Sequence, residues 1–123
     1  MKSSNKNIIL IDDEKVIVNL LEMILKKYNF SVKSFSDPGM ALDFVQEKNE
    51  KFDLVITDLS MPGMSGLELA KKINLVNQSI PIIMLSGNME NISEKPDYIK
   101  SYISKPVTVQ ELIKEINKVF LSD

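Results

Sequence analysis

Short, wholly apolar runs recur along this chain, separated by longer stretches whose apolar positions follow a helical period, and that alternation restricts the fold more than any other feature. Runs such as Ile8-Ile9-Leu10-Ile11 and Ile82-Ile83-Met84-Leu85 suit strands buried on both faces of a sheet. They fall far short of the roughly 20 apolar residues that a membrane span needs. Strands alternating with helices predict βα units closing on a parallel sheet with helices on both faces. We expect five strands, at Asn7 to Ile11, Ser31 to Phe35, Asp53 to Thr57, Ile80 to Leu85 and Ser101 to Ser104. The second alternates polar and apolar residues, as an edge strand with one wet face does.

The helices carry their own signals. Between Glu14 and Tyr28, Ile17, Leu20, Leu21, Ile24, Leu25 and Tyr28 make one apolar stripe. The last helix repeats the pattern with Val109, Leu112, Ile113, Ile116 and Phe120. Ser65 with Glu68 and Thr108 with Glu111 have capping-box spacing, and Asp37-Pro38 supplies a third helix start. The stretch from Asn88 to Lys100 is polar, is broken by Pro96 and offers only Ile92, Tyr98 and Ile99 as anchors, so a fourth helix there is expected to be short or irregular. We find no internal linker, and the expected domain is a single one over 1–123, with its core over about 7–121.

Composition removes several kinds of chemistry. The 123 residues contain neither His nor Cys, which excludes disulfides, zinc sites and His-activated nucleophiles. A formal charge of −2 gives no electrostatic footprint for nucleic acid. The polar start, without an apolar leader segment, and the missing cysteines suggest the cytoplasm. Any chemistry must use carboxylates, hydroxyls or lysines.

Ligands of open parallel sheets bind at the carboxyl ends of the strands. Those ends here are Asp12-Asp13-Glu14, Asp58, Ser86-Gly87 and Lys105-Pro106. With strand order 2-1-3-4-5, Asp12, Asp13 and Asp58 converge. Like charges about 4 Å apart repel by roughly 4 kcal/mol at an effective dielectric near 20, so such a cluster calls for a proton or a cation. Mg²⁺ suits it, being held by one or two carboxylates together with phosphate oxygens. The plainer alternative is that the acids are solvated strand ends and Lys105 a surface charge.

The segments Asp12-Asp13-Glu14, Asp58 to Leu69, Leu85-Ser86-Gly87 and Tyr102 to Pro106 together resemble the receiver domain of two-component response regulators, in order and spacing over nearly the whole chain. The resemblance implies an α/β, doubly wound five-stranded parallel sheet of order 2-1-3-4-5, flavodoxin-like. It implies Asp58 as the phosphoacceptor, taking a phosphoryl group from a sensor histidine kinase or phosphotransfer protein. It further implies Asp12, Asp13, Asp58 and the Ser60 carbonyl as the Mg²⁺ set, Lys105 and Ser86 as donors to the phosphoryl oxygens, and Tyr102 as the aromatic that follows Ser86. A cis Lys105-Pro106 bond is implied as well, while Pro62, Gly63 and Gly66 are explained by a tight loop before a capped helix. By the same analogy Ser60 and Asn88 flank the water that resets the switch, and the face made by the fourth helix, fifth strand and fifth helix reads out the state to a downstream effector of unknown identity.

Three rival readings are opposed by particular residues. A Mg²⁺-dependent aspartyl phosphatase expects a second Asp two residues after the first, where this chain has Ser60. A flavodoxin-like binder of a phosphorylated cofactor needs donors where Asp12-Asp13-Glu14 stands. A phosphorylation-independent receiver-like interaction domain is opposed by the intact Asp13, Asp58 and Lys105. The chain departs from the family pattern between Ser86 and Lys105, which lack the usual Gly-Ala turn before the fifth strand. It is expected either to stand alone or to belong to a larger regulator or hybrid kinase.

Overall fold

The computed structural model describes residues 6–47, 51–87 and 95–121. Its elements run β1 (Asn7–Ile11), α1 (Lys15–Lys27), β2 (Ser31–Phe35), α2 (Pro38–Gln46), β3 (Leu54–Asp58), α3 (Gly66–Val76), β4 (Ile82–Ser86), β5 (Ile99–Ser104) and α4 (Val109–Leu121). All pairings are parallel, and the order is β2-β1-β3-β4-β5. The doubly wound α/β expectation therefore holds, with β2 at an edge.

Period-two alternation divides the strand residues between two apolar layers. Ile8, Leu10, Leu54, Ile56, Ile83 and Leu85 meet Leu21 and Leu25 of α1 and Leu112 and Ile116 of α4. Ile9, Ile11, Val55, Ile82 and Met84 meet Ala41 and Val45 of α2 and Leu69 and Ile73 of α3. Each fully buried Val, Leu, Ile or Met side chain contributes about 1.5–3 kcal/mol relative to exposure.

The helix starts follow their capping signals. Asp37 accepts from the Gly39 N–H at 3.1 Å, Ser65 Oγ from the Glu68 N–H at 3.1 Å, and Thr108 Oγ1 from the Glu111 N–H at 3.1 Å. The stripe expected on α1 needs correction. Its buried residues are Val18, Leu21 and Leu25, while Leu20 and Tyr28 are exposed. The sheet covers a narrower arc of the helix than the stripe spans, and that arc is rotated toward Val18. On α4, Val109 likewise stands at the exposed margin.

Strand limits shift for local reasons. β4 begins at Ile82 because Pro81 has no N–H to give the ladder, although its carbonyl still accepts from Val55 at 3.0 Å. β5 begins two residues earlier than expected. Ile99 pairs with Ile82 and Ser101 with Ile83, leaving Lys100 as the extra residue of an irregularity. Ile99 is thus a strand residue, not a helix anchor. Asn88 and Ile92 lie outside the described residues, as does most of the expected fourth helix; Lys95 to Tyr98 form no helix. Among the described residues no helix is long and apolar enough to cross a membrane.

Candidate functional site

The carboxyl ends of β1, β3, β4 and β5 meet on one rim of the sheet. The register aligns Ile11 with Thr57, Asp58 with Leu85, and Ser86 with Ser104. Asp12, Asp58 and Lys105 each stand at or just beyond a strand end, so chain direction alone delivers them to that rim. Ligand oxygens of Asp12, Asp13 and Asp58 all lie within 4.8 Å of one another. Asp12 is fully buried and Asp58 is 5% exposed, whereas Asp13 is half-buried. The convergence expected from the sequence is present.

Among the described residues, one ammonium faces this cluster. Lys105 Nζ is 2.8 Å from Asp58 Oδ1 and 3.3 Å from Asp12 Oδ2. The other Asp12 oxygen, Oδ1, accepts from the Glu14 N–H at 3.0 Å. The Lys105–Pro106 bond is cis, as the resemblance implied. The backbone N–H of Lys105 also donates to the Ser86 carbonyl at 2.9 Å. Asp13, Glu14, Asp58, Ser60, Gly87 and Lys105 line the open cavity above the carboxylates.

Electrostatics distinguish the members of the pair. Burial first, and then the charges of Asp12 and Asp13, push the Asp58 carboxyl above the ordinary aspartate value against the opposing pull of Lys105. Burial alone would lower the Lys105 ammonium, but its hydrogen bond to Asp58 and the charges of Asp12 and Asp58 leave it above the usual lysine value. The two shifts have opposite consequences. A carboxyl whose folded pKa is raised binds more protons folded than unfolded, so its contribution falls as pH climbs from the ordinary aspartate range through the folded value. The raised lysine contributes fully below its unfolded pKa and loses that contribution only as pH passes its folded value.

Ser86 is buried at the end of β4, next to Ser104 of β5. Tyr102 pairs with Met84 and packs in the α2–α3 layer, with Lys95 Nζ 5.8 Å from its ring centroid. By alternation Ser86 shares that sheet face. Ser60 is exposed on the cavity lining, and Asn88 lies outside the described residues.

Two contributors went unassigned in the sequence. Glu14 lines the same cavity, and its adjacency to Asp12-Asp13 was the available signal. Gly66 does more than relax a loop. A Cβ there would sit 2.2 Å from the Asp58 carbonyl oxygen and 2.9 Å from Leu59 Cα, so the absence of a side chain lets α3 approach the backbone of Asp58. Gly63, at φ 85°, fits the turn explanation directly.

Comparison with known proteins agrees with this geometry. The family model for the response regulator receiver domain matches residues 8–117. The 3',5'-cyclic-nucleotide phosphodiesterase regA of Dictyostelium discoideum is 31% identical over 125 residues, covering 97% of this chain. The chain spans only 16% of that relative's length. A response regulator receiver domain protein from Clostridium thermocellum superposes with a TM-score of 0.84 at 29% identity, covering 92% of both chains. The response regulator protein TrrA from Thermotoga maritima, solved in complex with Mg²⁺-BeF, gives a TM-score of 0.82 at 30% identity, covering 93% of this chain and 98% of that one. This chain belongs to the response regulator receiver domain family of two-component signalling. Members of that family are signalling regulators.

Proposed function

We propose that the chain is a phosphoacceptor switch in which Asp58 takes a phosphoryl group from a phosphohistidine of a sensor histidine kinase or phosphotransfer protein. The observation that carries this reading is a buried Asp58 carboxylate held among two further carboxylates and paired at 2.8 Å with Lys105. A carboxylate oxygen of Asp58 attacks phosphorus in line with the departing imidazole nitrogen. The new O–P bond forms as the P–N bond breaks, and the nitrogen keeps the bonding electron pair. Positioning and charge neutralisation supply the catalysis. Lys105 moves from the carboxylate to the phosphoryl oxygens, and Ser86 donates its hydroxyl to them. Tyr102, on the same sheet face as Ser86, follows and alters the surface around β5 that a downstream effector reads. Attack by water at phosphorus later returns free Asp58 and inorganic phosphate.

The donor set is all hard oxygen and carries surplus negative charge, which fits Mg²⁺. Asp12, Asp13, Asp58 and the Ser60 carbonyl would hold it, Asp12 through water. When bound, Mg²⁺ neutralises the carboxylates and the phosphoryl oxygens together. Mg²⁺ at about 100 times its dissociation constant is expected to raise stability by roughly 2.7 kcal/mol. An unchanged melting temperature across a titration to saturation would rule the site out.

The phosphoacceptor reading is tested by mass spectrometry after incubation with Mg²⁺ and a small acyl phosphate. Wild type should gain one phosphoryl mass and Asp58→Asn none. An adduct that survives in the variant removes Asp58 from this role, and a wild type that never acquires one favours the phosphorylation-independent interaction domain. The same variant has a second expected signature. Because ionised Asp58 is disfavoured in the fold, Asp58→Asn should melt higher than wild type at neutral pH in chelator, with the gain shrinking toward acid pH. Thermal melts at pH 7 and in the ordinary aspartate range decide this.

A further inference from the structure

The charges around the pocket do not close with the residues assigned so far. A divalent cation together with Lys105 balances Asp12, Asp13 and Asp58, and among the described residues that line the cavity Glu14 is the negative charge left over. Its backbone is fixed on both sides. The N–H donates to Asp12 Oδ1 at 3.0 Å, and the carbonyl accepts from the Val18 N–H at 3.0 Å. The side chain makes no capping hydrogen bond to α1, and the residue is exposed. Glu14 also stands at a junction. It lines the acidic cavity with Asp58 and Lys105, and it lines the neighbouring apolar cavity that runs past Ile17, Leu20, Pro106 and Val107. A donor arriving over that side of the pocket passes this carboxylate.

Resting on the phosphoacceptor reading above, we propose that Glu14 is a specificity-determining residue that selects phosphodonors by charge. It disfavours small dianionic donors relative to monoanionic ones. Two unit interactions at roughly 10 Å in water, one for each donor charge, change an encounter rate by about fourfold, and a monoanion feels about half that energy, or about twofold. Salt screens both, since the Debye length is about 10 Å at 0.1 M and about 3 Å at 1 M.

The test compares wild type, Glu14→Gln and Glu14→Asp with two small donors at saturating Mg²⁺ and pH 7, a dianionic acyl phosphate and monoanionic phosphoramidate. Glu14→Gln should speed uptake from the acyl phosphate about fourfold at low ionic strength and from phosphoramidate about twofold, with both gains lost near 1 M salt. Glu14→Asp should stay close to wild type. A readout independent of transfer accompanies it: Glu14→Gln should weaken Mg²⁺ binding by up to about fourfold in a calorimetric titration at low salt. An unchanged donor ratio in a wild type that does take up phosphoryl overturns this assignment alone. A wild type that takes none from either donor overturns the phosphoacceptor reading along with it.

Discussion

Lys105→Met is expected to lower stability by about 3 kcal/mol in chelator at neutral pH and to slow phosphoryl uptake by roughly 10²–10³-fold. Removing one partner of a buried pair typically costs about 3–5 kcal/mol because the other charge is left uncompensated. Lys105 keeps 26% of its side chain exposed, so water relieves part of that and the lower end applies. Asp12, fully buried, has the least recourse to solvent. The loss should shrink at acidic pH, where Asp58, already raised, accepts a proton in place of the ammonium. Mg²⁺ should restore much of the stability but not the rate, since on the proposed reading the lost ammonium is a donor to the transferring oxygens that has no substitute. Urea melts at pH 5 and pH 8, with chelator and with Mg²⁺, separate these effects. Equal stability of variant and wild type at pH 8 in chelator would show that the ion pair is solvated and contributes nothing.

Gly66→Ala is expected to cost about 2–3 kcal/mol and to slow uptake as well, although residue 66 carries no chemistry. The added carbon meets backbone on two sides, at 2.2 Å from the Asp58 carbonyl oxygen and 2.9 Å from Leu59 Cα, and the buried Met84 sulfur at 2.8 Å. Overpacking of this kind typically costs about 1–3 kcal/mol, and backbone neighbours cannot rotate away. Relief therefore requires moving the strand end that holds the Asp58 carboxylate. Gly63→Ala provides the contrast. Position 63 has φ 85° and open space around its Cβ direction, so alanine there should cost about 1 kcal/mol through backbone strain and leave uptake unchanged. Chemical denaturation and single-turnover phosphorylation of both variants distinguish the cases. Equal uptake rates for the two would remove the positioning role from Gly66.

Much of this was legible because the rules involved are local. β1 and β2 were readable to the residue, since short apolar or alternating runs bounded by polar residues leave little choice of limits. The three helix caps were readable because an Asp, Ser or Thr hydrogen-bonds an N–H only two or three positions ahead. The rim of carboxylates followed once strand order was specified, because the parallel arrangement sends every strand end the same way. What escaped depends on long-range geometry. The rotation of α1 that buries Val18 and exposes Leu20 is visible only in how the helix packs against strand residues distant in sequence. The extra residue at Lys100 is visible only through the partner strand. Gly66 resembled an ordinary loop residue because the atoms that forbid its side chain belong to positions seven and eight places earlier in the chain. Glu14 carries no signal in the sequence beyond its adjacency to Asp12 and Asp13.

The hydrogen bond from the Lys105 N–H to the Ser86 carbonyl joins two neighbouring strand tips directly. On the proposed reading, a displacement that draws Ser86 toward a phosphoryl group would bear through this bond on the main chain of Lys105, coupling the serine's response to the anion with the lysine's. In such an arrangement, lengthening either loop would loosen both operations together instead of impairing one and sparing the other.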